Sequence, residues 1–130
     1  MRKSLFRIPA SGFTLVELLV VLAILMLLLT VAAPRYFNGV DRAKEAALKQ
    51  TLYVVRDAID KFHSDNARYP DSLEELAERK YIRTIPVDPL TESAESWIVV
   101  PPDEELPGNL YDLHSGAEGT AADGSQYGEW

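Results

Sequence analysis

Cysteine is missing altogether from the 130 residues. Its absence excludes disulfide staples, thiolate zinc sites and thiol nucleophiles, so any long loop must be held by packing, turns or a metal ion. Histidine is almost absent as well, His63 and His114 being the two present. Positive charge is scarce over most of the chain: residues 35–130 carry ten Lys/Arg against nineteen Asp/Glu, within an overall charge of −7. An acidic body of this kind argues against nucleic acid as the main partner.

The opening of the chain has the opposite balance. Arg2, Lys3 and Arg7 stand in residues 1–12 with no acid among them. An apolar run from Phe13 to Ala33 follows, interrupted by a single carboxylate, Glu17. Mean hydropathy over the whole chain is only −0.09, so the apolar character is concentrated here. A run of about 21 residues is long enough to span ~30 Å of hydrocarbon. A basic flank before it and an acidic body after it place the flank in the cytoplasm by the positive-inside rule. Glu17 is the anomaly, because a carboxylate inside such a run costs roughly 2.5–3.5 kcal/mol on insertion scales.

Three readings compete for this segment. A cleaved secretory signal would show a shorter apolar stretch and a small-residue site after it. Val31-Ala32-Ala33 is small enough, but Pro34 follows directly and suits a cleavage site poorly. An inert single-span anchor explains the length and the flanking charge and leaves Glu17 without a use.

The third reading starts from Ser11-Gly12-Phe13-Thr14-Leu15-Val16-Glu17-Leu18. This octapeptide resembles the leader junction of type IV pilins and of type II secretion pseudopilins. The resemblance implies cleavage between Gly12 and Phe13 by a prepilin peptidase and N-methylation of the new amino terminus on Phe13. Glu17 then stands fifth in the mature chain, where its carboxylate would pair with the Phe13 amine of a neighbouring subunit during assembly. Opposite charges at low dielectric attract strongly, whereas either alone would be left buried and unpaired.

Pro34 closes the apolar run and predicts a kink or local melting, since it removes a donor and clashes with the carbonyl of Thr30. Pilin-like helices also carry a proline here, and many add a glycine within the span, where this chain has Ile24-Leu25-Met26. The resemblance therefore gives Pro34 alone any assembly-related unwinding. From Arg35 to about Asp65 the chain reads as an amphipathic continuation of the same helix. Leu48, Leu52, Val55, Ile59 and Phe62 form one face, with Tyr36, Phe37 and Val40 leading into it. Glu45–Lys49 and Asp57–Lys61 are spaced as favourable i,i+4 pairs.

Asp65 to Pro70 reads as a turn, followed by a short helix ending near Arg79-Lys80. Asp71 with Glu74, or Ser72 with Glu75, has capping-box spacing, and Leu73, Leu76, Ala77 and Tyr81 should face inward. Residues 97–100 and 110–114 read as two strands joined by the long acidic connection 101–109, a small antiparallel hairpin packed on the helical stripe. The Arg68-Tyr69-Pro70 turn and Pro86-Val87-Asp88-Pro89 resemble the major pseudopilin of type II secretion. Leu90-Thr91-Glu92-Ser93 departs from the pattern that usually follows.

Residues 115–130 are rich in glycine and carry acids at intervals. Glycine permits bent backbone, and spaced oxygen donors suit a hard cation. The pseudopilin resemblance implies a Ca²⁺ loop, with Asp123 and Ser125 as the best matching donors, Glu118 as a third, and the Leu113 carbonyl completing the shell. The competing reading is a metal-free loop pinned by Tyr127 and Trp130 against the sheet. His63 reads as a solvated helix-end residue. His114 beside Ser115 lacks the nucleophile-elbow pattern of a hydrolase.

The expected fold is therefore α+β and type IV pilin-like: a long helix, half transmembrane and half amphipathic, against a small antiparallel sheet with a carboxy-terminal loop. The expected divisions are a leader over 1–12, a transmembrane or filament-core half-helix over 13–34, and a periplasmic domain over 35–130. That domain comprises the half-helix 35–65 and the body 66–130. No enzymatic activity is expected. The resemblance implies a pseudopilus subunit of type II secretion, single-pass in the bacterial inner membrane with its body periplasmic. Its partners would be copies of itself, minor pseudopilins, prepilin peptidase, and the assembly platform and ATPase. A type IV pilus subunit is the related alternative, and a non-polymerising anchored binding module the unrelated one.

Overall fold

A computed structural model describes residues 9–130. Most of the leader, with Arg2, Lys3 and Arg7, lies outside the described residues. In chain order the elements are helix α1 (Leu15–Asn66), helix α2 (Leu73–Glu78), strand β1 (Ile98–Val100), strand β2 (Asp112–His114) and a 3-10 turn (Tyr127–Glu129). The chain divides into two compact units, one reaching to Asn38 and the other running from Gly39 to Trp130.

The first unit is essentially the apolar part of α1. Its side chains from Leu15 to Val31 are all exposed. This is a helix long and apolar enough to cross a membrane, with a mean hydropathy of 2.9 in its most apolar window. Pro34 does not interrupt it: the helix runs on through this residue. Proline removes one donor, and its apolar, helix-favouring neighbours continue the helix on either side. Tyr36 and Phe37, expected to lead into the core stripe, are exposed and meet each other edge to face at 5.8 Å.

In the second unit the periodicity is realised. Leu48, Leu52, Val55, Ile59 and Phe62 are all buried, and Ala58 joins them. They form one cluster with Leu73 and Leu76 of α2, with Ile82 and Trp97, and with Leu110 and Leu113 of the hairpin. A body this small depends on the helix face as its floor, because its own loops bury too little apolar surface to offset chain entropy.

Helix α2 begins as its sequence requires. The Ser72 hydroxyl accepts from the Glu75 N–H at 3.3 Å, while Glu75 Oε2 reaches one residue further back than a standard capping box, to the Asp71 N–H at 2.8 Å. The Glu75 carboxylate is also clasped by the guanidinium of Arg68, and this holds its pKa below the ordinary 4.5. Leu73 and Leu76 are buried, while Ala77 and Tyr81 are partly buried against the core. Of the two i,i+4 pairs, Lys61–Asp57 forms at 2.6 Å. The Glu45–Lys49 pair is absent, both side chains being used elsewhere, as described below.

The hairpin is shorter than the pattern suggests. β1 and β2 pair antiparallel, Ile98 with His114, Val99 with Leu113 and Val100 with Asp112, leaving Trp97, Leu110 and Tyr111 outside the strands. The connection is tied back to the turn after α1, with the Tyr69 N–H donating to Pro107 O at 2.9 Å and the Leu110 N–H to Pro70 O at 2.9 Å. Gly108 makes this approach possible. Its φ is +113°, and a Cβ there would lie 2.3 Å from the Tyr69 carbonyl oxygen.

Asp88 is the buried hub of the long connection between α2 and β1. One carboxylate oxygen accepts from the Leu90 N–H at 2.8 Å and the other from the Ser115 hydroxyl, and its own backbone N–H donates to Ser93 O at 3.0 Å. A fully buried carboxylate is tolerated only when it is hydrogen-bonded in this way.

Candidate assembly segment and carboxy-terminal loop

Residues 12–17 are exposed. Phe13 is 86% exposed. A methyl group added at Gly12 would meet nothing within 4 Å, and Gly12 has no positive φ. The fold of this chain therefore places no demand for glycine at that position.

Glu17 has a local partner that the sequence reading missed. Its Oε2 accepts from the Thr14 N–H at 3.3 Å, and its own N–H donates to the Thr14 hydroxyl at 3.1 Å. Thr14 and Glu17 thus form a reciprocal capping box at the start of α1. The Leu18 N–H donates to Thr14 O at 3.1 Å, the first helical bond of the ladder. Two otherwise orphaned donors are satisfied, and the carboxylate lies in the first turn, where the helix dipole favours negative charge. The signal was present as Thr-x-x-Glu before an apolar run.

The carboxy-terminal segment is organised differently from a metal loop. Asp123 and Ser125 do come together: Asp123 Oδ1 accepts from the Ser125 hydroxyl at 2.6 Å and from its N–H at 2.9 Å. These bonds hold the Asp123 carboxyl below its usual pKa. Glu118 is exposed. The Leu113 carbonyl accepts from a guanidinium nitrogen of Arg56 at 3.0 Å. No group of three or more His, Cys, Asp or Glu side chains able to hold a metal occurs among the described residues. Ca²⁺ takes 6–8 oxygens, and of the expected donors the Leu113 carbonyl is committed to the Arg56 guanidinium and the Ser125 hydroxyl to Asp123. Their disposition does not fit the ion.

The segment is instead held by polar residues of α1. Glu45 Oε1 accepts from the Tyr127 hydroxyl at 2.9 Å and from the Ala122 N–H at 3.1 Å. Burial, reinforced by Glu45, raises the pKa of Tyr127. The Lys49 ammonium lies over the Trp130 ring, 4.2 Å from its centre. The Trp130 indole N–H donates to Ser125 Oγ at 2.7 Å, and its ring meets Tyr127 edge to face at 5.3 Å. Glycine serves this segment in two ways. Gly119 and Gly124 take positive φ, while Gly116 passes so close to Ser96 that a Cβ would fall 2.0 Å from its carbonyl oxygen.

The histidines are structural. His63 stacks on Tyr69 with ring centres 4.3 Å apart. His114 Nδ1 donates to the main-chain oxygen of Trp130. Ser115 is fully buried, and its hydroxyl donates a hydrogen bond to Asp88 and not to His114, so this pair is not arranged for nucleophilic chemistry.

Comparison with known proteins gives these features a class. Residues 9–33 match the prokaryotic N-terminal methylation motif. The chain is 29% identical to type II secretion system core protein G of Pseudomonas aeruginosa, across 92% of this chain and 94% of that protein. It is 31% identical to competence protein ComGC of Halalkalibacterium halodurans over 55% of this chain and 71% of that protein. Identity to the type IV major pilin PilA of Myxococcus xanthus is 36%, over 58% of this chain and 34% of the pilin. No solved structure matches. A long amino-terminal helix, a small antiparallel sheet and a methylation-type leader define a type IV pilin-like protein. The chain belongs to that family, whose pilins and pseudopilins are structural subunits and not enzymes.

Proposed function

We propose that this chain is a structural subunit of a pseudopilus, the filament that drives type II protein secretion. Residues 1–12 are the leader, residues 13–34 the stored and later polymerised half-helix, and residues 35–130 the periplasmic body. Prepilin peptidase cuts at Gly12–Phe13 and methylates Phe13. The assembly platform and ATPase then move subunits from the inner membrane into a filament of copies of this chain and minor pseudopilins. The reading rests on one observation above all: similarity to a type II secretion core protein runs over nearly the whole chain, body included. Open space around Gly12 supports it, because a glycine that the fold does not need is readily explained by the narrow cleft of a processing enzyme.

In this mechanism Glu17 changes partners. Before assembly its carboxylate caps α1 through Thr14. Cutting at Gly12 creates a charged amine on Phe13, and a neighbour's amine offers Glu17 a stronger, charge-assisted bond. Mass spectrometry of the membrane-extracted protein tests the processing step. A mature chain beginning at N-methyl-Phe13 is expected, and an intact leader after native expression would refute it. Two variants test the charge. Glu17→Gln keeps an acceptor for the Thr14 N–H and loses the charge, and Glu17→Ala loses both. Both should insert normally, and both should fail to form filaments. Filaments from Glu17→Gln would show that capping, not charge, is what assembly needs.

A pilus or competence subunit is the second reading, favoured by the likeness to PilA and ComGC. Deleting the gene distinguishes them: a secretion defect supports the first, and loss of surface pili or DNA uptake with secretion intact supports the second.

A further inference from the structure

The expected metal loop and the observed one differ in where their positive charge comes from. Arg56 reaches from the middle of α1 into the carboxy-terminal segment and makes three bonds there. Its Nε donates to Asp112 Oδ1 at 2.7 Å, and its Nη2 donates to Leu113 O at 3.0 Å and to Trp130 O at 2.8 Å. One carboxylate oxygen and two main-chain oxygens converging on a centre of positive charge are the donor chemistry of a hard-cation site. Here the centre is a planar guanidinium, permanently charged, whose N–H groups point at all three oxygens.

We propose that Arg56 is a built-in replacement for a divalent ion, closing the carboxy-terminal segment onto α1 so that the body needs no calcium. Several contacts support the assignment. Trp130 O also receives the His114 Nδ1 proton, and the Trp130 ring lies under Lys49, so two further residues hold the same terminal strap in place. Asp112 already balances the guanidinium charge at 2.7 Å. A divalent ion at Leu113 O would sit against Arg56, and like charges at that range repel strongly in a half-buried setting. The surrounding groups account for the remaining polar atoms: no buried side-chain nitrogen or oxygen among the described residues is left without a partner.

The test uses the full chain in detergent micelles, with thermal unfolding and amide hydrogen exchange as readouts. For the unaltered protein, excess EDTA and millimolar CaCl2 should give the same Tm. Arg56→Gln, which keeps a polar chain without the charged fork, should speed exchange over residues 111–130 by about 10- to 100-fold, the range expected for losing hydrogen bonds to a charged group. Arg56→Lys should fall between, because a point charge cannot bridge three oxygens as a fork does. Asp112→Asn leaves the guanidinium and its two bonds to main-chain oxygens in place, and should give a smaller rise in exchange if Arg56→Gln fails to fold. A Tm of the unaltered protein that CaCl2 raises or EDTA lowers would overturn the proposal. So would unchanged exchange in Arg56→Gln and Asp112→Asn.

Discussion

The two parts of α1 obey different rules. Up to Asn38 the helix shows apolar side chains on every side, none buried against the rest of the chain. From Gly39 onward it shows one buried stripe, and its polar residues carry the carboxy-terminal segment. One backbone geometry thus serves two surroundings. A helix apolar all round satisfies its backbone internally and takes lipid or neighbouring helices as its solvent. A helix apolar on one side must find its partner within its own fold. Glu17 and Glu45 condense the contrast. The first carboxylate caps its own helix, and the second reaches 82 residues along the chain to Tyr127.

The sharpest way to break this comparison is to truncate one large apolar side chain in each part. Phe62→Ala should cost about 3–5 kcal/mol of body stability, since Phe62 is wholly buried at the α1 floor. Leu22→Ala, in the exposed part, should leave the body's unfolding transition where it is. Thermal unfolding followed by near-ultraviolet circular dichroism checks both, and an equal loss in the two variants would end the distinction. A smaller effect is expected at the loop that the floor supports. Gly108→Ala must take a strained φ and displace the Tyr69 carbonyl, for a loss on the order of 1–3 kcal/mol in denaturant titration.

The smallest effects belong to the entry of α2. Ser72→Ala should cost about 1 kcal/mol through loss of the cap. The Arg68–Glu75 pair adds a pH dependence. The folded-state pKa of Glu75 lies below its ordinary 4.5, so the folded protein takes up this proton less readily than the unfolded chain. Its contribution is complete above 4.5 and fades as pH falls through the lower folded value. The Tm gap between the unaltered protein and Glu75→Gln should accordingly be full at neutral pH and close in acid. A gap that widens on acidification would reverse the sign of the interaction.

Much of the fold follows from short-range pattern. The Leu48-to-Phe62 stripe repeats with the helical period, Ser72 stands three residues before Glu75, and the hairpin flanks are apolar between turn residues. Each of these signals lies within a few positions of the element it determines. Pro34 lies inside α1, which continues past it to Asn66 as the amphipathic pattern of residues 35–65 requires. The Glu45–Lys49 spacing failed, since better partners came from far along the chain. Arg56 carried no local signal at all: its acceptors Asp112 and Trp130 lie 56 and 74 residues away. Asp88 was visible as part of a Pro-rich turn, while its burial depends on Ser115 arriving from another stretch. At the start of α1, the Thr14–Glu17 box was readable and was overshadowed by the intermolecular role that the same carboxylate suggests.

The long reach of the Glu45 and Arg56 contacts also bears on timing. Helix α1 leaves the ribosome well before Tyr127 and Trp130 are made, so the groups that fasten the body to it arrive long after the helix. Contacts so distant in sequence close late, after most of the loop entropy has been lost. The apolar part of α1 is thus available to engage a membrane while the chain behind it is still unfinished.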